Sequence, residues 1–172
     1  MIYNSNQCCL QIESISQRTA IEDMIQPTLQ VSEDIYVHAA REAVWEYFCR
    51  LREWPRWRPD VARATWVQGQ VWQEGAQFTI EPAHSLPQSV TYIIRMVVPD
   101  DTTVWENNSP GPGVVYSLHL ADQVGGCKVT LRCTFHGWGS LLKRLTSAAE
   151  KAKLQTLLVG LKAALERPET RR

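Results

Sequence analysis

SLLKRLTSAAEKAKLQTLLVGLKAALE, residues 140–166, is the longest stretch of this 172-residue chain that reads as one helix, and the fold follows from it. Ser140 offers an N-cap after Gly137, Trp138 and Gly139, and Pro168 forbids continuation much beyond Arg167. At 1.5 Å per residue such a helix is a rod of about 40 Å, enough to cross a small domain. In its first half Leu141, Leu145, Ala148, Ala149 and Ala152 form one stripe, opposite Lys143, Glu150 and Lys151. In its second half Leu154, Leu157, Leu158, Leu161, Ala164 and Leu165 lie on nearly the opposite side. Val159 and Ala163 join them, so that half reads as apolar almost all round. The expectation is a helix gripped from several sides or bent at Gly160. A dimerisation helix is the plainer alternative, but no heptad persists long enough for a coiled coil.

Composition narrows the function. Lys plus Arg and Asp plus Glu both number 18, which leaves no basic footprint for nucleic acid or an anionic membrane. The expected partner is a small hydrophobic ligand, with no nucleic acid, no stable membrane insertion and an open oligomeric state. Five cysteines, Cys8, Cys9, Cys49, Cys127 and Cys133, form an odd set without repeated spacing, as free thiols in a reducing compartment would. Residues 1–30 carry no basic region followed by an apolar run, so a cytoplasmic protein is expected. His84, His119, His136 and the cysteines lack metal-ligand spacing, and no phosphate-cradling or dinucleotide motif occurs; neither metal nor cofactor is expected. Seven tryptophans suit a pocket as well as a core.

Ahead of the helix the chain is organised as one domain, 29–167, with an extension expected to be poorly ordered at 1–28 and a tail at 168–172. Residues 29–37 alternate as a strand, and helical spacing of Val44, Phe48 and Leu51 predicts a helix from Arg41 to about Arg52. Pro55 and Pro59 bracket a second short helix or turn. Strands are predicted over 61–67, 76–81, 89–98, 102–106, 114–120 and 127–135, with loops at 82–88 and 107–113 expected to rim a pocket mouth. In the last strand Cys127, Val129, Leu131, Cys133 and Phe135 point inward, as in an antiparallel sheet with one wet face.

The fold class is therefore α+β: a curved seven-stranded antiparallel sheet wrapped around a long C-terminal helix, with two short helices after the first strand. A strongly twisted sheet splays away from a straight rod, and a cavity between them is the natural by-product. Alternation places Phe78, then Tyr92, Ile94 and Met96, then Trp105, then Tyr116 and Leu118, then Leu131, on the concave face. With Trp57 from the short helix and Leu157 and Leu161 from the long one, these are the expected ligand-pocket residues. Arg95 and His119 fall on the wetter faces by the same count, which weakens any acid–base role for them, and no catalytic residue is assigned.

The run Ile35 to Trp45 (IYVHAAREAVW), the run Trp54 to Val61 (WPRWRPDV), the Gly75-Ala76-Gln77-Phe78 turn and the LKAALE close at 161–166 resemble the START-like helix-grip (SRPBCC) superfamily, in its polyketide cyclase/dehydrase and lipid-transport branch. The likeness spans about residues 29–166. It departs at Cys49, Arg50 and Arg58, where an acidic residue and an asparagine are common, a change expected to alter the pocket rim and not the fold. The resemblance implies binding or transport of a lipid or polyketide-like molecule between sheet and helix. The alternative it implies is a polyketide cyclase or dehydratase acting in the same cavity, and a further alternative is a non-catalytic interaction module. The family has no universal catalytic signature, so whether the chain is an enzyme stays open.

Overall fold

The chain is seen in a computed structural model that describes residues 28–84, 89–107, 113–136 and 147–167. Strand β1 (Leu29–Val37) leads into helix α1 (Arg41–Cys49), a single 3₁₀ turn (Leu51–Glu53) and the one-turn helix α2 (Trp54–Trp57). Six strands follow: β2 (Val61–Gln68), β3 (Gln77–Pro82), β4 (Val90–Val98), β5 (Thr102–Asn107), β6 (Val114–Gln123) and β7 (Gly126–Phe135). Helix α3 (Ser147–Leu165) ends the described chain. All strand pairs are antiparallel, in the order β1-β7-β6-β5-β4-β3-β2. β1 and β2 are thus opposite edges, and α1 and α2 carry the chain from one edge to the other. This is the helix-grip arrangement the sequence predicts. The predicted start of the long helix at 140–146, the extension 1–27 and much of both predicted rim loops lie outside the described residues.

α3 packs mainly along β1 and the adjoining β7, and against α2. Lys151 Nζ meets Glu33 Oε1 at 3.1 Å, and near the other end Lys162 Nζ donates to the Tyr36 carbonyl at 2.8 Å. The side of α3 turned to the sheet carries Leu154, Leu158 and Leu161, all buried, on a single stripe. The expectation of an all-round apolar helix is therefore corrected. Val159 is 52 % exposed and Ala163 is exposed, because the sheet reaches α3 from one side only. Ala148, Ala149 and Ala152 are exposed rather than covered by the sheet, and Glu150, expected on the wet side, has a side chain only 12 % exposed. It lies four residues before Leu154, on the same stripe.

Gly160 has a different purpose from the one expected. α3 runs through it as one helix, and a Cβ built there would stand 2.1 Å from the backbone oxygen of Trp57. Glycine is required for helix and turn to touch, not for a bend.

The second correction concerns β4. Its pairing with β5 shifts between Ile94 and Met96, leaving Arg95 as the extra residue of a bulge. Beyond a one-residue insertion every side chain changes face. Ile94 is fully buried, whereas Met96, expected inside, is 42 % exposed, and Val97 takes the inward direction beside buried Thr103.

Most of the tryptophans build core. Phe48 is the hub, with ring centroids 5.3 Å from Trp54, 5.4 Å from Trp72, 5.8 Å from Trp105 and 6.3 Å from Trp57. Two indole N–H groups are satisfied by backbone: Trp54 Nε1 donates to the Phe48 carbonyl and Trp72 Nε1 to the Cys49 carbonyl, each at 2.8 Å. This cluster closes one end of the grip. Cys49 and Cys127 are free thiols, and burial pushes the Cys49 thiol up to about 12, with Asp100 adding to the shift.

Gly160→Ala should destabilise the protein by about 1–3 kcal/mol despite alanine's better helix propensity, since the new methyl overlaps a backbone atom held on both sides. Urea unfolding should show a lower midpoint at unchanged slope. An equal or higher midpoint would mean that α3 does not press on the Trp57 turn.

Candidate functional site

Because α3 lies toward the β1 edge, the concave face of β3, β4 and β6 is not filled by it, and a cavity opens there in two adjoining parts that share wall residues. The inner part is about 30 Å³, room for one or two water molecules, and is lined chiefly by Phe48, Trp57, Trp105, Leu118, Leu131, Leu158 and Leu161. The outer part is about 620 Å³, bounded by Pro59, Asp60, Pro82 and Val90 on one side and by Ala149, Glu150, Ala152, Lys153, Leu154 and Thr156 of α3 on the other. Arg58, Ile80, Tyr92, Tyr116 and Leu157 belong to both parts and form the waist between them.

Of the residues expected to line a pocket, Trp57, Tyr92, Trp105, Tyr116, Leu118, Leu131, Leu157 and Leu161 meet in this wall. Phe78 and Ile94 are fully buried behind it, Phe78 stacked on Tyr92 at 5.3 Å and 19°. Met96 is on the convex side, for the reason given above. Arg95 pairs with Glu106 on the convex face, and His119 there places Nδ1 3.0 Å from both Asp101 Oδ1 and Thr102 Oγ1. The Thr102 hydroxyl, followed by the His119 ring, holds the exposed Asp101 carboxyl below its usual range.

Several wall residues were not on the expected list. Ile80, Cys133, Leu154 and Leu158 follow from the alternation and stripe already read, and could have been added. Arg58 was flagged only as a departure at the rim. Glu150 gave no sequence signal, since one acidic residue in a lysine-rich turn looks like a solvated face.

The polar groups in the wall are of two kinds. The charged ones are matched. Arg58 donates to Asp60 through Nη2 at 2.8 Å and Nε at 3.3 Å, its guanidinium lies 4.7 Å from the Trp54 ring centre, and Lys153 Nζ stands 3.4 Å from Glu150 Oε2. The neutral ones are the phenols. The Tyr116 ring stacks on Trp105 at 5.7 Å and 13° and meets Tyr92 edge-on at 6.1 Å. Neither hydroxyl makes a hydrogen bond to another described residue. Burial, opposed only in part by the Arg58 charge, raises both phenols above their ordinary value, Tyr116 strongly. They are therefore neutral hydroxyls at any ordinary pH, able to donate and accept but not to act as bases.

A family model described as polyketide cyclase/dehydrase and lipid transport matches residues 28–166. Among solved structures, ginseng major latex-like protein 151 from Panax ginseng is similar at 14 % identity and a TM-score of 0.67, covering 81 % of this chain and 98 % of its own. Norcoclaurine synthase from Thalictrum flavum, in complex with dopamine and hydroxybenzaldehyde, matches at 10 % identity and a TM-score of 0.67, covering 88 % and 94 %. Ara h 8.0201 matches at 16 % and 0.65, covering 81 % and 98 %. At these identities the likeness is one of fold. No curated protein matches the sequence.

The buried phenols set an alkaline limit on stability. Above about pH 10 the unfolded chain releases phenol protons that the folded chain keeps, so stability falls as pH rises, and below that it is flat with respect to these groups. The urea midpoint should drop between pH 8 and pH 11, and the Tyr92→Phe/Tyr116→Phe double variant should lose less over that interval, with Cys49 left to account for part of the remainder. An identical drop in both proteins would show that the phenols ionise freely.

Proposed function

The chain belongs to the polyketide cyclase/dehydrase and lipid-transport family, and from that premise we propose that it binds or carries a small, uncharged, hydrophobic ligand in the cavity between α3 and the sheet, in the cytoplasm. The observation that supports this most directly is the outer chamber, about 620 Å³ with walls that are mostly hydrocarbon and aromatic and two phenol hydroxyls that no side chain among the described residues engages. Apolar surface of that extent contributes binding free energy at roughly 25 cal/mol per Å² removed from water. The hydroxyls supply orientation. The pairing of Arg58 with Asp60 and of Lys153 with Glu150 leaves a wall without excess charge, which suits a neutral molecule better than a free fatty acid. The balance of 18 basic and 18 acidic residues likewise supports a small ligand over nucleic acid.

The same cavity supports a second reading, a polyketide cyclase or dehydratase. Tyr92, Tyr116 and the largely buried Glu150 share one space, and protonated phenols can hydrogen-bond a carbonyl oxygen as charge develops on it. Binding is the better-supported reading, since both phenols are raised rather than lowered and Glu150 is engaged by Lys153.

Native mass spectrometry of freshly purified protein, with organic extraction, tests this. An added mass in the hydrophobic metabolite range is expected, lost or weakened in Tyr92→Ala and Tyr116→Ala. A bare protein mass, together with unchanged tryptophan fluorescence across sterols, fatty alcohols and aromatic ketones, would sink the binding reading. A supplied polyketide recovered as a cyclised or dehydrated product would move the conclusion to catalysis.

A further inference from the structure

The cavity-binding reading, on which this inference rests, leaves open which polar group the ligand carries, and the two phenols at the waist bear on it. Tyr92 and Tyr116 border both parts of the cavity. Their hydroxyls make no hydrogen bond to a described residue, yet they are not shut away. Among the described residues only Arg41 Nε and Trp57 Nε1 are at once fully buried and without a partner. Each phenol oxygen therefore keeps accessible surface, and the space that these two side chains front is the cavity.

The surrounding rings fix where the hydroxyls sit. Tyr92 lies on fully buried Phe78 at 5.3 Å and 19°, Tyr116 lies on Trp105, 3 % exposed, at 5.7 Å and 13°, and the two phenols meet edge-on at 6.1 Å. Both stand on strands, β4 and β6, so their positions are set before a ligand arrives. Of the ionic groups around them, Arg58 acts most strongly on both phenols, ahead of Asp60 at Tyr92 and of Glu150 at Tyr116. The guanidinium spends Nε and Nη2 on Asp60, so it polarises this spot while already holding a carboxylate. A positive potential beside two O–H donors suits the negative end of a ligand dipole. The inner part, about 30 Å³, admits a water molecule or two, so the leading atom of a ligand stops at the waist and its body stays in the outer part.

We propose that the Tyr92 and Tyr116 hydroxyls form a two-donor clasp for a carbonyl oxygen at the leading end of an uncharged ligand, whose apolar body lies in the outer chamber against Ile80, Leu154 and Leu157. Selection then acts against three classes. Hydrocarbons leave both hydroxyls without water or partner. Alcohols must place their own proton among groups that are already donors, and carboxylates bring a charge to a site whose nearest cation is already paired.

The test uses a shape-matched pair, 2-acetylnaphthalene and 2-isopropenylnaphthalene, in which a methylene group replaces the ketone oxygen. Both are titrated calorimetrically into the full chain and into the Tyr92→Phe/Tyr116→Phe double variant, which keeps the rings and their stacks. Wild type should bind the ketone roughly tenfold more tightly than the alkene, and the double variant should lose most of that preference. The infrared C=O stretch of the ketone, isotopically labelled at the carbonyl carbon, should move to lower frequency on binding to wild type, a readout that does not depend on how well the variant folds. Equal affinities in wild type, an unmoved stretch, a preference that survives in the double variant, or 2-naphthoate bound as tightly as the ketone would overturn the clasp and leave the cavity reading intact. So would binding of sterols or fatty alcohols with no ketone bound. Silence across both probes and that wider panel would overturn both.

Discussion

The contact on which the rest of the structure depends is the one between Gly160 of α3 and the backbone of Trp57. A helix that approaches a turn closely enough to touch its carbonyl cannot carry a side chain at that point, and once it is there neither partner can shift without a clash. The one-turn helix α2 is in this way clamped between α3 and the start of β2. Trp54 and Trp57, carried on that turn, are set against Phe48 of α1, and Phe48 gathers the rings of α2, β5 and the loop before β3 around itself. One end of the domain is closed by aromatic packing because one glycine lets a helix come near.

The opposite consequence is the cavity. α3 is tied to the first strand through Lys151 with Glu33 and Lys162 with the Tyr36 carbonyl, and this holds it over the β1–β7 side of a sheet that runs on for five more strands. A twisted sheet of that width turns away from a straight rod, so β3 and β4 face α3 across open space. The wall of that space is graded. Toward the clamp it is hydrocarbon and indole, at the waist it gains two phenols and the paired Arg58, and outward it meets the Glu150–Lys153 pair.

Much of this was legible in the sequence. All seven strands were located in the sequence, four of them by explicit period-2 alternation, which in β7 named every inward residue because that strand pairs on both sides without a register shift. Eight of the eleven expected pocket residues do meet in the cavity wall. The failures have physical causes. Met96 was misplaced because a bulge is a property of two strands: Arg95 is extra only relative to β5, and nothing in the β4 sequence says so. Glu150 was placed in water because helical spacing alone cannot tell which side of α3 the sheet will cover.

Alternation, helical stripes and prolines are local signals. They suffice to determine seven strands, a long closing helix and the side of most strands that faces inward, since burying a continuous apolar face is nearly the only way such elements become stable together. Which side of α3 is covered, why residue 160 must be glycine, and which indole N–H meets no acceptor among the described residues are not local. They are differences in distance between backbones far apart in the chain, and only the packed tertiary structure, in which two atoms cannot occupy one place and a buried donor either meets an acceptor or does not, decides them.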